Sequence, residues 1–206
     1  IAAIFKDINV DRVIEGGQTM NPSAQDIADA IIKINAENIF VFPNNKNIIL
    51  AAEQSKSLVE GKKVYVVPTK SIPQGISAAL AMNPEATADE NFIEMIHAID
   101  NVSSGMVTYA VRNAKVDGFS LTKGDIIALD NKKILAKGKD LVKVTGDLIE
   151  KLHYNGHSLI NLYYGSDVTE EEAGEMQSKI AERYPDMDVE LFYGGQPIYY
   201  YIVSLE

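Results

Sequence analysis

Three short strand-like stretches, at residues 12–15, 39–42 and 64–67, are separated in the first third of this chain by stretches with helical periodicity. This alternation leaves few folds open. Consecutive strands joined through a helix pair in parallel, and such crossovers are right-handed. Residues 23–34 place Ile27, Ala30, Ile31 and Ile34 on one helical face. Residues 47–59 read as a second helix stopped by Gly61, and residues 74–82 as a third. The predicted N-terminal lobe is therefore a βαβ parallel sheet.

The rhythm changes after residues 83–89, whose sequence NPEATAD reads as a linker ending in a capped helix that runs to Ile99. Residues 106–113 read as a strand. Turn signals at Asp117-Gly118, Lys123-Gly124, Asp130-Asn131 and Lys137-Gly138 predict β-hairpins across 115–139. A helix over 140–152, a strand over 158–164, a helix over 169–184 and strands over 189–193 and 198–203 complete the pattern. The predicted fold class is α/β in two lobes: 1–84, a βαβ lobe with a parallel sheet, and 85–206, an α/β lobe with antiparallel strands and hairpins. Ile1, Ala2, Ile4, Phe5 and Ile8 form an apolar face at helical spacing with no preceding cap and no initiator Met. The chain is accordingly expected to be a C-terminal region of a longer protein, starting inside a truncated helix.

Composition narrows the function. The chain has no cysteine, which removes disulfide frameworks, thiolate metal sites and cysteine nucleophiles. Its 29 acidic residues outnumber 19 basic ones, for a net charge of −10, and such a field repels nucleic-acid backbones and anionic membranes. No apolar run approaches the ~20 residues of a membrane span, and no signal-peptide pattern is present. The expected location is the cytoplasm, with no nucleic-acid partner.

The stretch EGGQTMNPSAQDI, residues 15–27, is the richest in local signals. Ser23 and Asp26 have capping-box spacing, Pro22 costs no needed donor, and Gly16-Gly17 permits backbone angles closed to other residues. The C-terminal end of a strand next to a helix N-terminus is where open α/β sheets take ligands, and it favours anions. The same signals also describe a well-capped turn. Two further loops occupy the equivalent ends of the next strands, residues 43–47 and 68–75. Together they nominate a binding rim made of Gly16, Gly17, Gln18, Thr19, Asn21 and Ser23, then Asn44 and Asn45, then Thr69, Lys70 and Gln74. Lys46, Lys70 and Arg112 are its candidate charged contacts. One echo accompanies them: Gly16-Gly17-Gln18 and Gly194-Gly195-Gln196 each follow a strand pattern.

No catalytic or metal-binding set is legible. The glycine and lysine spacings fit neither a phosphate-binding loop nor a dinucleotide fingerprint. His153 and His157 are four apart, but Asn155-Gly156 interrupts any helix between them. Glu170, Glu171 and Glu172 suit a helix's first turn. Tyr163, Tyr164, Tyr193 and Tyr199 to Tyr201 suit amphipathic strands better than base stacking.

The motifs GGQTMNPS (16–23), PNNKNIILAAEQ (43–54) and VVPTKSIPQGISAAL (66–80), with YAVRNAKVDG (109–118) and GGQPIYYYIVSLE (194–206), resemble the C-terminal region of the kinase subunit of bacterial fatty acid kinase. That family is related to dihydroxyacetone kinases. The resemblance spans nearly the whole chain. It implies a DegV-like fold, with no cofactor in this region and ATP and Mg²⁺ held by the chain's own N-terminal kinase domain. It also implies a partner, a DegV-type fatty-acid-binding protein whose acyl carboxylate is phosphorylated while this region docks it without carrying out the chemistry. GGQTMNPS is similar to the Thr-Ser-Gln-Pro-Ser loop with which DegV proteins hold a carboxylate. Gly17 here stands in place of its hydroxyl-bearing serine, while Thr19 and Ser23 remain. The alternatives are a DegV-like module that itself binds a fatty acid or acyl phosphate, and a phosphatase.

Overall fold

In the computed structural model, which describes residues 1–16, 21–131, 133–154 and 156–206, strands β1 (Asn38–Val41) and β2 (Lys63–Val66) pair in parallel, with Ile39 opposite Val64 and Val41 opposite Val66. Those four side chains pack on one face with Ile27, Ala28 and Ile31 of helix α2 (Ala24–Ile32) and Ala52 of helix α3 (Ile49–Ser55). On the other face Phe40, Phe42 and Val67 pack with Ala78 of helix α4 (Ile72–Leu80) and with Met95 and Ile99 of helix α5 (Ala88–Asp100). Tyr65 stacks 5.1 Å from Phe40 and 5.5 Å from Phe92. A sheet covered on both faces explains why these strands read as continuous apolar runs. Each fully buried aliphatic or aromatic side chain contributes about 1.5–3 kcal/mol towards this arrangement. A short helix α1 (Ala2–Asp7) precedes them and buries Phe5.

The second unit is built on a six-stranded sheet. Its strands are β3 (Ser103–Tyr109), β6 (Ile126–Leu129), β7 (Ile134–Gly138), β8 (Leu159–Tyr164), β9 (Asp188–Tyr193) and β10 (Tyr201–Leu205), in spatial order β7-β6-β3-β10-β8-β9. Only β8 and β9 are parallel, joined through helix α7 (Glu170–Arg183). Helix α6 (Leu141–Leu152) and α7 supply Val144, Leu148, Ile149, Ala173, Met176 and Ile180 to one core with Ile160, Leu162, Val203 and Leu205 of the sheet. A side hairpin pairs β4 (Ala114–Val116) with β5 (Phe119–Leu121). Its two-residue turn has φ of 51° at Asp117 and 80° at Gly118, as a type I′ turn requires, so the Asp-Gly signal is realised.

Helix starts follow their sequence signals. Ser23 with Asp26, Thr87 with Glu90 and Thr169 with Glu172 each close a reciprocal capping box. The acid of each box is held below its usual pKa by hydrogen bonds from its cap residue.

Three expectations need correction. Residues 12–15 form no strand, so the parallel sheet has two strands among the described residues. Val13 and Ile14 are only two apolar residues between charged ones, and Ile14 stays 40% exposed. The division between the compact units falls after Val102, not at residue 84: the first is Ala2–Val102 and the second Ser103–Glu206 with Ile1. The cause is Asn91, whose buried carboxamide accepts from Asn83 N–H at 2.7 Å and donates to Asn83 O at 2.9 Å. This pins the apparent linker to α5, while Met95 and Ile99 complete the core of the first unit. Finally, residues 198–200 are not strand. Ile198 has φ of 74°, and Tyr199 N–H donates to Pro197 O at 2.8 Å, a tight positive-φ γ-turn that delays β10 until Tyr201.

Candidate functional site

Because β1 and β2 are parallel neighbours, their C-terminal ends release residues 43–47 and 68–75 side by side. The two loops are bonded to one another. Thr69 is 0% exposed; its hydroxyl accepts Asn44 N–H and donates to Asn44 Oδ1, both at 2.9 Å. Asn44 adopts φ of 56°, tolerable for asparagine, and this turns its carboxamide onto the first turn of α4. There it lies against Gly75, where a Cβ would stand 2.0 Å from Asn44 Oδ1. Thr69, Asn44 and Gly75 therefore form one closed contact at the rim.

The start of α4 is secured in the same way. Ser71 caps it by accepting from Gln74 N–H, and proline occupies its first turn. Gln74 Oε1 accepts Lys70 N–H at 2.7 Å, and Gln74 Nε2 donates to Ile99 O at 3.1 Å. Gln74 thus bridges the loop to the end of α5. Asn45 Oδ1 accepts Asn47 N–H at 2.9 Å in a local turn. Lys46 and Lys70 stand at the exposed edge of these loops.

Of the first loop, Gly16, Asn21 and Ser23 are described and exposed, while Gly17, Gln18 and Thr19 lie outside the described residues. Ser23 is engaged as the cap of α2: its Oγ accepts Asp26 N–H at 3.1 Å and donates to Asp26 Oδ2 at 2.6 Å. Arg112 is exposed in the second unit. The structure thus joins Asn44 with Thr69 and Lys70 with Gln74 in two separate sets of bonds, gives Ser23 a capping role and leaves Asn45 in a local turn. Sequence reasoning names Asn44 and Thr69 but misses their partner Gly75, whose signal is a glycine inside a helix pattern.

The remaining sequence features have structural explanations. Helix α6 ends at Leu152, so His153 and His157 share no helical face, and their rings lie 5.8 Å apart. His157 is buried; its Nδ1 accepts Tyr154 N–H at 3.3 Å, and burial holds its pKa below the usual value. In the turn after β9, Gln196 is buried and its Nε2 donates to Tyr163 O at 2.8 Å. Gly194 makes room for the Gln196 side chain, since a Cβ at 194 would lie 2.0 Å from Gln196 Oε1. That second glycine-glycine-glutamine is a packing device.

Removing one hydroxyl tests the rim. Thr69→Val is expected to cost about 1–3 kcal/mol, because Asn44 N–H and Oδ1 lose their buried partner. Thr69→Ser should keep most of that stability. Urea unfolding of the two variants checks the pair.

The whole chain, residues 1–206, matches the FakA-like family model, which describes the C-terminal part of a fatty acid kinase subunit. Protein YloV of Bacillus subtilis is 42% identical over all 206 residues, and an uncharacterised Staphylococcus aureus protein is 40% identical over the same span. The chain spans 37% of the length of these curated relatives. Among solved structures, it superposes on a DegV family protein of Corynebacterium glutamicum with a TM-score of 0.69 at 12% identity, covering 100% of this chain and 92% of that one. A Streptococcus pneumoniae fatty acid kinase B3 protein loaded with linoleic acid gives 0.63 at 14% identity, covering 90% and 76%. The dihydroxyacetone kinase of C. freundii gives 0.59 at 13%, covering 89% of this chain and 41% of that one. These likenesses show a DegV-type fold. No helix among the described residues is long and apolar enough to cross a membrane.

Proposed function

Since this chain belongs to the FakA-like C-terminal family of fatty acid kinases, we propose that it is the docking region of a fatty acid kinase, receiving a DegV-type protein that carries the acyl chain. The phosphoryl group then comes from ATP and Mg²⁺ on a separate N-terminal kinase domain, in the cytoplasm. The observation that carries this reading is the closed Thr69–Asn44–Gly75 contact, which fixes two loops at one sheet edge. A pre-formed surface of this kind loses little conformational entropy on association. Its side chains are engaged with one another, as suits a shape-matching face.

The test mixes this chain with acyl-loaded DegV-type protein in a calorimeter. Saturable binding at about tens of micromolar or tighter is expected, and its absence would remove the proposal. Lys70→Glu at the exposed edge should weaken binding by about tenfold at low salt, with a smaller effect at high salt.

A second reading is that the chain itself holds a fatty acid, because proteins sharing its fold are described as loaded with linoleic or heptadecanoic acid. Native mass spectrometry of the purified chain separates the two. A bound acyl mass supports this reading, and the bare mass leaves docking.

A further inference from the structure

A cleft of about 320 Å³ opens in the second unit between α6 and α7, within the ~300–1,000 Å³ range of small-ligand sites. Its walls are apolar: Leu141 and Val142 from the start of α6, Val168, and Met176 from α7. Tyr200 and Tyr201 add two aromatic rings. At the mouth stand Asp167, Glu172 and Glu175, with Lys179 as the single basic residue of the lining.

Two details give this cleft a chemical preference. Lys179 lies 3.7 Å from Glu175 and offsets one carboxylate, which leaves the mouth with an excess of negative charge. Glu172 uses its Oε2 for the α7 capping box, accepting from Thr169 N–H at 2.9 Å and Thr169 Oγ1 at 2.8 Å. Its second oxygen takes no part in the box. Behind the mouth is Tyr201, only 1% exposed. Burial and the Glu172 charge raise the pKa of that phenol and keep it protonated.

We propose that this cleft is a socket for a lysine or arginine side chain presented by a partner protein between apolar neighbours. The aliphatic stem would lie on Leu141, Val142 and Met176, and the cationic head would sit among Asp167, Glu172 and Glu175 over the tyrosine rings. The Tyr201 phenol oxygen, beside the Glu172 charge, would accept a hydrogen bond from that head. A free polyamine fits less well, because it carries charge at both ends and the carboxylates here gather at one. The inference is independent of the family reading, since every residue it uses lies in the second unit and none belongs to the Asn44–Thr69 contact.

The whole chain, labelled with ¹³C-methyl methionine, supplies the test, with the Met176 signal assigned through Met176→Leu. Acetyl-Leu-Arg-Leu-amide should shift the Met176 methyl resonance saturably, and acetyl-Leu-Glu-Leu-amide should not. The exposed pair Asp167→Asn and Glu175→Gln should weaken the arginine peptide by about fivefold or more, and added salt should weaken it further. Tyr201→Phe should weaken it without moving the salt dependence. The socket is overturned by equal binding of the glutamate peptide, by unchanged affinity in the double variant, or by no saturable shift up to about 10 mM peptide. Putrescine displacing the peptide at concentrations below the peptide's own Kd would assign the cleft to a free polyamine and overturn the partner reading.

Discussion

Gly165→Ala is expected to lower the stability of the second unit by about 3 kcal/mol or more, the upper end of what overpacking costs. A Cβ at this position would lie 2.1 Å from Tyr199 O and 2.6 Å from Gln196 O. Both obstacles are backbone, so no rotamer change relieves them. The segment that carries them is also tethered. Gly165 N–H donates to Tyr200 O at 2.9 Å, Ser166 N–H to Gln196 O at 3.1 Å, and Thr108 Oγ1 to Ile198 O at 2.7 Å. Retreat by the ångström needed would break these bonds and disturb the γ-turn at Ile198. The measurement is the urea midpoint together with amide exchange in residues 201–205, which should lose protection. A loss under about 1 kcal/mol would mean that the 194–200 turn yields, and that its positive-φ residue is weakly held.

Leu148→Ala should cost about 3–4 kcal/mol, within the span measured for fully buried leucines. Leu148 is 0% exposed at the centre of the core beneath α6. It also rests directly on the sheet: a Cβ on Gly105 would come within 2.8 Å of Leu148 Cδ1. The missing side chain on β3 lets α6 sit low, and leucine fills that space. Alanine would leave a cavity bounded by a strand and a helix that are both held from other sides, so collapse is limited. Leu148→Met, similar in volume, should cost less than about 1.5 kcal/mol. Chemical denaturation of both variants separates lost packing from general sensitivity at the position.

The legible part of the fold is mostly local. The three capping boxes, the Asp117-Gly118 turn and the alternation that buries Ile39 and Val41 on one face and Phe40 and Phe42 on the other are all set by residues within a few positions of each other. Sequence patterns mislead where distant residues decide. Asn91 turns a linker-like stretch into an integral turn of the first unit. Val13 and Ile14 have strand-like composition but pair with no strand among the described residues. Ile198 is β-branched and reads as strand, yet Gly165 and Thr108, far off in sequence, hold its segment in a turn.

The candidate site is legible in the same partial way. Asparagine, threonine and proline mark the loops at the ends of β1 and β2, and those loops are adjacent. That Gln74 is committed to bonds at both ends of its amide leaves no trace in the sequence. The cleft escapes notice there because its tyrosines resemble ordinary strand residues, and its carboxylates resemble an ordinary helix start.

The position of β10 bears on how the second unit is made. Residues 201–205 lie between β3 and β8, hydrogen-bonded to both, although they come last in sequence among the six strands of this sheet. Until they leave the ribosome, the nascent chain holds two half-sheets, each with an open flank that invites mispairing. Completion of this unit in the cell then hinges on the interval before residues 201–205 become available, and chains stalled within it are natural clients for holdase chaperones.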